Sequence, residues 1–163
     1  MNVRTKEQME EIYNRQCDIV YRICFLYLKN EQDTLDAVQE TFLRLFQKNV
    51  VFQDQEHEKA WLIRTAINYC KDIQKSFWKR NRNIYDETVE QKLQYTQISE
   101  DQNWILQAVL HLPPKYIDVV YLHYYEGYSV EEIARFLHKN ASTMRSRLSR
   151  AKELLRKELE ENG

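Results

Sequence analysis

The residues best suited to contact with a polyanion lie in a segment that is predicted to form one helix from Ala141 to about Glu160. At 100° per residue, its hydroxyl and arginine side chains fall on one side, namely Ser142, Arg145, Ser146 and Ser149. The opposite side is an apolar stripe of Met144, Leu148, Ala151 and Leu155. Small hydroxyl groups permit close approach, and arginines donate to phosphates or to the paired acceptors of guanine. Residues 135–157 hold eight basic residues and one acidic residue, so the pattern favours DNA contact over a merely solvated charged face.

A shorter helix and a tight turn are predicted to hold this basic helix in place. Ser129 is a natural N-cap, and Glu132 three residues later completes a capping box for a helix over 129–137. In the turn His138-Lys139-Asn140, we expect the asparagine to cap the next helix and the histidine to adopt a positive φ, although glycine would do so more easily. Because a short helix, a tight turn and a longer helix make a helix-turn-helix, residues 129–156 are predicted to form one.

A second basic segment lies near the middle of the chain and contains aromatic residues. Residues 59–84 hold seven basic residues and one acidic residue. Near the end of this segment is the run Ser76-Phe77-Trp78-Lys79-Arg80-Asn81-Arg82. Rings that stack on unpaired bases, next to cations that hold the backbone, suit single-stranded nucleic acid. Phe77 and Trp78 would serve equally well to cap a hydrophobic core, and the segment alone does not decide between the two. The preceding helix is predicted to present, on one face, Trp61, Arg64, Asn68, Lys71 and Lys75.

The elements around these segments are predicted to be helical. Only two Gly and two Pro occur in 163 residues, and both types disfavour helix interiors. Apolar residues recur at helical spacing over about 7–29, 33–46 and 58–75, with a loop at 49–57. In the second of these helices, the inward residues are expected to be Leu35, Val38, Phe42, Leu45 and Phe46.

The charge and periodicity of the sequence divide it into two parts. Residues 83–101 are polar and acidic with weak periodicity, and they are predicted to be a linker. Helices over about 104–112 and 114–125 then precede the helix-turn-helix. The predicted fold is therefore all-α, with two small helical domains, 1–82 and 102–163, joined by a flexible linker, and the second domain contains the helix-turn-helix.

Several classes of function are disfavoured by the composition. The three cysteines show no CxxC spacing and are expected to pack as apolar residues, and the four histidines show no metal-ligand spacing. No catalytic residue, metal or cofactor is therefore predicted, and an enzyme is the least favoured class. No uncharged apolar run approaches the roughly 18 residues of a membrane span, and the first residues lack the apolar core of a signal peptide. We expect a cytoplasmic protein without membrane insertion.

Over nearly its whole length, the chain resembles the extracytoplasmic-function (ECF) sigma factors of bacterial RNA polymerase. Residues 33–46, DTLDAVQETFLRLF, are similar to region 2.2 of that family, and residues 60–72, AWLIRTAINYCKD, to regions 2.3 and 2.4. Residues 110–128, with the helix-turn-helix after them, are similar to region 4. The order and spacing of these segments are more specific than any of them alone. Two departures are the turn at 138–140, where the family usually has Gly-Ile-Ser, and Ala141-Ser142, where members often have a small or acidic residue. The linker has no recognisable region 3, as expected for this minimal type.

The resemblance implies a promoter-specificity subunit that binds core RNA polymerase and promoter DNA and is controlled by an anti-sigma factor. It implies contact with the β′ clamp helices for Asp33, Asp36, Gln39, Glu40 and Arg44. It implies recognition and melting of the −10 element for Trp61, Arg64, Asn68, Lys71, Lys75, Phe77, Trp78, Lys79, Arg80 and Arg82. It implies reading of the −35 element for Ser142, Thr143, Arg145, Ser146, Arg147 and Arg150, with a further contact of region 4 to the β flap. The alternative is a stand-alone helix-turn-helix transcriptional regulator of duplex DNA, which would leave residues 33–82 without a role.

Overall fold

The structure is a computed structural model that describes the backbone of residues 3–78 and 100–162, and the regular secondary structure in both ranges is helical. The all-α prediction is confirmed for these ranges. The chain divides into two compact units, Met1–Thr96 and Gln97–Gly163. Most of the predicted linker 83–101 lies outside the described residues. So do the side chains of five predicted DNA contacts, namely Phe77, Trp78, Lys79, Arg80 and Arg82.

Three long helices make up the described part of the first unit. They are α1 (Lys6–Leu28), α2 (Glu31–Gln47) and α3 (Gln55–Trp78), and each packs against the other two. A capping box between Thr5 and Gln8 begins α1. Lys29, with φ of 60°, ends α1, and the Asn30 side chain then accepts the Asp33 N–H to begin α2. The two helices are thus joined by a turn of two residues.

The third helix is longer at both ends than the sequence pattern predicts. It begins at Gln55 because the Asp54 carboxylate accepts the His57 N–H at 2.8 Å and so caps the first turn. It continues through Trp78 because neither Gly nor Pro interrupts the chain after Lys75. The backbone of Phe77 and Trp78 therefore belongs to the last turn of α3, beyond the predicted end of the helix at about residue 75.

The inward face of α2 differs from the predicted one at one position. Val38, Phe42 and Leu45 are buried as predicted, and Phe46 is half-buried, but Leu35 is 50% exposed. The buried side of α2 also includes small residues that allow close packing against α1 and α3, namely Thr34, Ala37 and Thr41. The prediction for Leu35 was wrong because the apolar pattern of this helix is wider than the face that its neighbours cover.

A buried carboxylate links α3 to α1. Glu58 is only 5% exposed, and its side chain accepts hydrogen bonds from the Arg15 guanidinium at 2.9–3.1 Å and from the Gln16 amide at 3.0 Å. A buried carboxylate is tolerated when its lone pairs are used in this way. The network therefore fixes the start of α3 against the middle of α1.

The described part of the second unit, residues 100–162, contains four α-helices and two short helical segments of other geometry. They are α4 (Glu100–Leu110), a 3₁₀ turn (Pro114–Tyr116), α5 (Ile117–Val120), a π-helical turn (Tyr121–Tyr125), α6 (Val130–Leu137) and α7 (Ala141–Asn162). The predicted single helix over 114–125 is thus three consecutive segments. The prolines set a tight first turn, and the Glu126 N–H bonds to the Tyr121 carbonyl five residues back. Ile117, Val120 and Tyr121 are buried in these segments.

Candidate nucleic-acid interface

The first helix of the helix-turn-helix is fixed at its start by the predicted capping box. The Glu132 N–H donates to the Ser129 hydroxyl at 3.1 Å, and the Ser129 N–H donates to the Glu132 carboxylate at 3.0 Å. Hydrogen bonds from the backbone and side chain of Ser129 lower the pKa of the Glu132 carboxyl group. The residue is therefore committed to the cap, which leaves the neighbouring Glu131 free of that role.

The turn between α6 and α7 has the predicted geometry although it contains no glycine. His138 adopts φ of 54°, and the next N–H, that of Lys139, donates to the Ala134 carbonyl at 2.8 Å. The Asn140 side chain then accepts the Ser142 N–H at 2.8 Å and caps α7. Histidine is one of the residues that adopts the left-handed region more often than most, so the turn forms without Gly.

The basic helix α7 separates its buried and outward faces as predicted. Met144, Leu148, Ala151 and Leu155 are buried. The predicted −35 residues that are exposed are Ser142, Thr143, Arg145, Ser146 and Arg150, while Arg147 is half-buried. Ser149 is exposed on the same face and was not among the predicted site residues. The outward face is thus a row of small hydroxyl side chains flanked by arginines.

Two carboxylates reach the arginines of this face. Glu131 on α6 lies 3.4 Å from the Arg145 guanidinium, and Glu153, three residues further along α7, lies 3.0 Å from that of Arg150. All four side chains are more than half exposed, so each pair contributes little to stability. The sequence pattern does not predict the proximity of Glu131 to Arg145, because it depends on the packing of α6 against α7.

The predicted −10 residues of α3 form one stripe along the helix. Asn68 and Lys75 are exposed, and Trp61, Arg64 and Lys71 are half-buried. Burial lowers the pKa of the Arg64 guanidinium. The stripe combines cations, an amide and an aromatic ring, which are groups that bind backbone phosphates and unpaired bases.

Trp61 belongs to an aromatic cluster that the sequence did not predict. The Phe52 ring lies edge-on to Trp61, with 6.2 Å between the ring centroids, and also edge-on to His57 at 5.2 Å. The Arg4 guanidinium lies over the Phe52 ring at 5.3 Å and donates to the Val50 carbonyl. The loop between α2 and α3 is therefore held next to the predicted −10 residues of α3. An aromatic residue after two valines, in the short loop between the two helices, was the only signal for this cluster.

The predicted polymerase-contact residues of α2 lie along its outward side. Asp36 and Gln39 are exposed and Glu40 and Arg44 are half-buried, whereas Asp33 receives a hydrogen bond from the Asn30 amide at 2.8 Å. Arg44 bonds to Glu40 at 3.1 Å. Its guanidinium also lies over the Tyr69 ring of α3 at 5.2 Å. Burial, followed by the charges of Glu40 and Asp36, raises the pKa of Tyr69.

An apolar groove runs beside these polar residues. Its volume is about 390 Å³, and it is lined by Tyr13, Leu35, Val38, Gln39, Phe42, Leu43 and Phe46. Leu35 and Leu43 are 50% and 44% exposed. Exposed leucines clustered next to carboxylates are typical of a surface that another protein covers.

The second unit has an apolar groove of its own. It has a volume of about 210 Å³ and lies between α4, α5, the π-helical turn and the end of α7. Trp104 and Leu159 are both more than half exposed there, with Lys152 and Arg156 beside them. The prediction that a helix begins at Trp104 was wrong by four residues, since α4 begins at Glu100.

Nothing in the described residues points to metal chemistry. No three His, Cys, Asp or Glu side chains in residues 3–78 and 100–162 are grouped so that they could hold a metal ion. Cys24 and Cys70 are fully buried, and the hydrogen bond between their thiols, with burial, raises the pKa of Cys70. None of the helices in the described part of the chain is long and apolar enough to cross a membrane.

Comparisons with known proteins match both units. Residues 12–83 match the family model of sigma-70 region 2, and residues 102–155 match that of sigma-70 region 4. The RNA polymerase sigma factor SigV of Bacillus subtilis is 32% identical over 143 residues, which are 85% of this chain and 83% of SigV. The ECF RNA polymerase sigma factor SigW of the same organism is 31% identical over 159 residues, 87% of this chain and 83% of SigW. The chain belongs to the ECF sigma factors of RNA polymerase.

Proposed function

We propose that this chain directs core RNA polymerase to specific promoters and thereby initiates transcription, without catalysing a reaction itself. The observation that carries the proposal is the pair of DNA-suited faces, one on α3 and one on α7, in two separate units. A stand-alone helix-turn-helix regulator would use only the second face. The proposed partners of this chain are core polymerase, promoter DNA and an anti-sigma factor. Its proposed place of action is the cytoplasm, where polymerase works.

The α7 face is proposed to read the −35 element as duplex DNA. A helix of this kind fits the major groove, with its N-terminal part against base edges. Ser142, Ser146 and Ser149 allow close approach. The longer side chains Arg145, Arg147 and Arg150, together with Thr143, are then within reach of base edges and phosphates.

The α3 stripe is proposed to bind the −10 element and to hold it open. Opening a duplex exposes bases that need new stacking partners, and removal of a base from the stack costs a few kcal/mol. Trp61 supplies a ring at one end of the stripe, and the stripe continues through Arg64, Asn68, Lys71 and Lys75 toward the predicted contacts at 77–82. The loop that carries Phe52 supports Trp61 and is included in this proposed surface.

The outward side of α2 is proposed to bind the β′ clamp helices. The polar part is Asp36, Gln39, Glu40 and Arg44, with Asp33 at the helix start. The adjoining groove adds Leu35 and Leu43, whose burial would supply most of the affinity, since apolar burial is the larger favourable contribution in such contacts. The β flap is proposed to bind the groove of the second unit at Trp104 and Leu159.

Reconstitution with purified core polymerase tests the proposal. On a promoter template, the full chain and core together are expected to open the −10 region, detected by permanganate oxidation of unpaired thymines, and to produce a run-off transcript. Neither component alone is expected to do so. Failure of the chain to bind core in a pull-down would refute the proposal. Tight binding to a palindromic operator without polymerase would instead favour the stand-alone regulator.

A further inference from the structure

The Glu131 carboxylate is the only acidic group from α6 for which the structure gives a contact with an arginine of the α7 face. Its Oε1 lies 3.4 Å from Nη1 of Arg145, and the two side chains are 63% and 56% exposed. They are 14 residues apart and on different helices, so the contact depends on the packing of the helix-turn-helix.

We infer that Glu131 is a positioning residue for −35 recognition: it orients the Arg145 guanidinium toward one base and weakens binding to every other sequence. The inference rests on the proposed function of α7. An arginine has five N–H donors in a rigid fork, so a carboxylate can hold one side of it while the other side donates to guanine. An unrestrained arginine would instead reach many phosphates and bases.

The charge of Glu131 adds a second effect. Phosphate contacts supply most of the affinity for nonspecific DNA, and α7 holds six basic residues over 141–157 against one acidic residue, Glu153. A carboxylate at the edge of this face repels the backbone, so it lowers affinity for all sequences. The right base pair offsets that repulsion because only there does Arg145 form its paired hydrogen bonds.

The other acidic residues near this face have different roles. Glu132 accepts the Ser129 N–H in the capping box, so its replacement would disturb the fold of α6. Glu153 bonds to Arg150 within the same helix, at the common spacing of three residues. Glu131 has no part in the cap, and it alone of the three connects the two helices through an arginine.

Binding by the reconstituted holoenzyme tests the inference. Promoter fragments carry each of the four base pairs in turn at every −35 position, and dissociation constants are measured by fluorescence anisotropy at three salt concentrations. The variants are Glu131→Gln, Arg145→Ala and the double variant. Glu160→Gln is the matched control, because it removes the same charge from an exposed site near the end of α7.

Glu131→Gln is expected to bind nonspecific DNA more tightly and to steepen the salt dependence by up to about one counterion. At the position read by Arg145, discrimination among base pairs is expected to fall at least about threefold, a part of the roughly 5- to 150-fold that a paired arginine contact supplies. Circular dichroism and the thermal midpoint are expected to be unchanged, since the lost pair is exposed. In the Arg145→Ala background, Glu131→Gln is expected to change discrimination no further.

The outcomes distinguish the positioning role of Glu131 from the base-reading role of Arg145. If Glu131→Gln and Glu160→Gln behave alike while Arg145→Ala loses discrimination, the positioning role is refuted and the proposed function of α7 stands. If Arg145→Ala loses no discrimination at any position, the base-reading role of Arg145 is refuted, and the positioning role with it. The tighter binding to nonspecific DNA is expected to persist in the double variant, because it comes from the charge of Glu131 alone. An effect of Glu131→Gln on base-pair discrimination that persists in the double variant would show that Glu131 reads DNA without Arg145, which also overturns the inference.

Discussion

Replacement of Leu43 by serine is expected to weaken the binding of this sigma factor to core polymerase while leaving its first unit folded. Leu43 lies on the outward side of α2 and is 44% exposed, next to Leu35 in the apolar groove. Because much of its side chain is already in water, the substitution removes few packing contacts. The expected change in the free energy of unfolding is therefore within about 0.5 kcal/mol.

The expected loss of affinity follows from the exposed area. If the clamp helices cover the exposed part of Leu43, roughly 80 Å² of apolar surface leaves water, which at about 25 cal/mol per Å² contributes about 2 kcal/mol. That value corresponds to a rise of about 30-fold in the dissociation constant. Leu35 exposes a similar fraction and lies about 12 Å away along the helix, so the two effects are expected to add to about 4 kcal/mol.

A competition experiment measures the effect directly. Labelled wild-type chain bound to core polymerase is displaced by increasing concentrations of unlabelled Leu43→Ser, Leu35→Ser or the double variant, and fluorescence anisotropy reports the displacement. Val3→Ser is the matched control, since Val3 is a highly exposed apolar residue of the same unit that does not line the groove. Circular dichroism confirms that each variant is folded.

Displacement curves for Leu35→Ser and Leu43→Ser that coincide with those of wild type and Val3→Ser would refute the reasoning. The groove would then be an ordinary exposed surface, and the contact would rest on the polar residues of α2 alone. Asp36→Ala and Glu40→Ala would in that case produce the larger losses, which the same assay measures.

Three further predictions follow from the capping, the buried ion pair and the aromatic cluster. Ser129→Ala is expected to cost about 1 kcal/mol in α6, seen as roughly fivefold faster hydrogen exchange of its amides, with α1 as the internal control. Glu58→Ala is expected to destabilise the first unit by about 3 kcal/mol, because Arg15 and the buried Gln16 amide lose their acceptor. Denaturant unfolding, monitored by hydrogen exchange of the amides in α1 and α3, measures this change. Trp61→Ala is expected to abolish permanganate reactivity at the −10 element while leaving core binding and −35 duplex binding within twofold of wild type, as footprinting would show. An equal loss at both promoter elements would contradict a −10 role for this ring.

The helix-turn-helix could be predicted in detail because its signals are local. A capping box needs only Ser129 and Glu132 three residues apart, and the buried stripe of α7 follows from the 3.6-residue period. The turn was also predictable without Gly, since Asn140 is a good N-cap and His138 tolerates a positive φ. These features depend on residues within four positions of one another.

The structural features that the sequence did not predict depend on contacts between helices and loops. Periodicity placed Leu35 inside because it is apolar and suitably spaced, but α1 and α3 cover only part of α2. The proximity of Phe52 to Trp61 and of Glu131 to Arg145 is a result of tertiary packing, which no single segment encodes. The π-helical geometry at 121–125 has no composition signal of its own, and we have no account of it from the sequence.

The distribution of charge explains how a chain with a net charge of −1 can have two surfaces that are proposed to bind DNA. At physiological ionic strength, charges are screened over about 8 Å, so a surface responds to its own surroundings and not to the total. The cations are concentrated in 59–84 and 135–157, whereas residues 1–58, which include α2, hold eleven acidic residues and seven basic ones. DNA therefore repels the side of the first unit that is proposed to bind polymerase. Because the free chain has little long-range attraction to DNA, its binding depends on close contact by α3 and α7. In the proposed function, core polymerase allows both faces to bind one promoter at the same time.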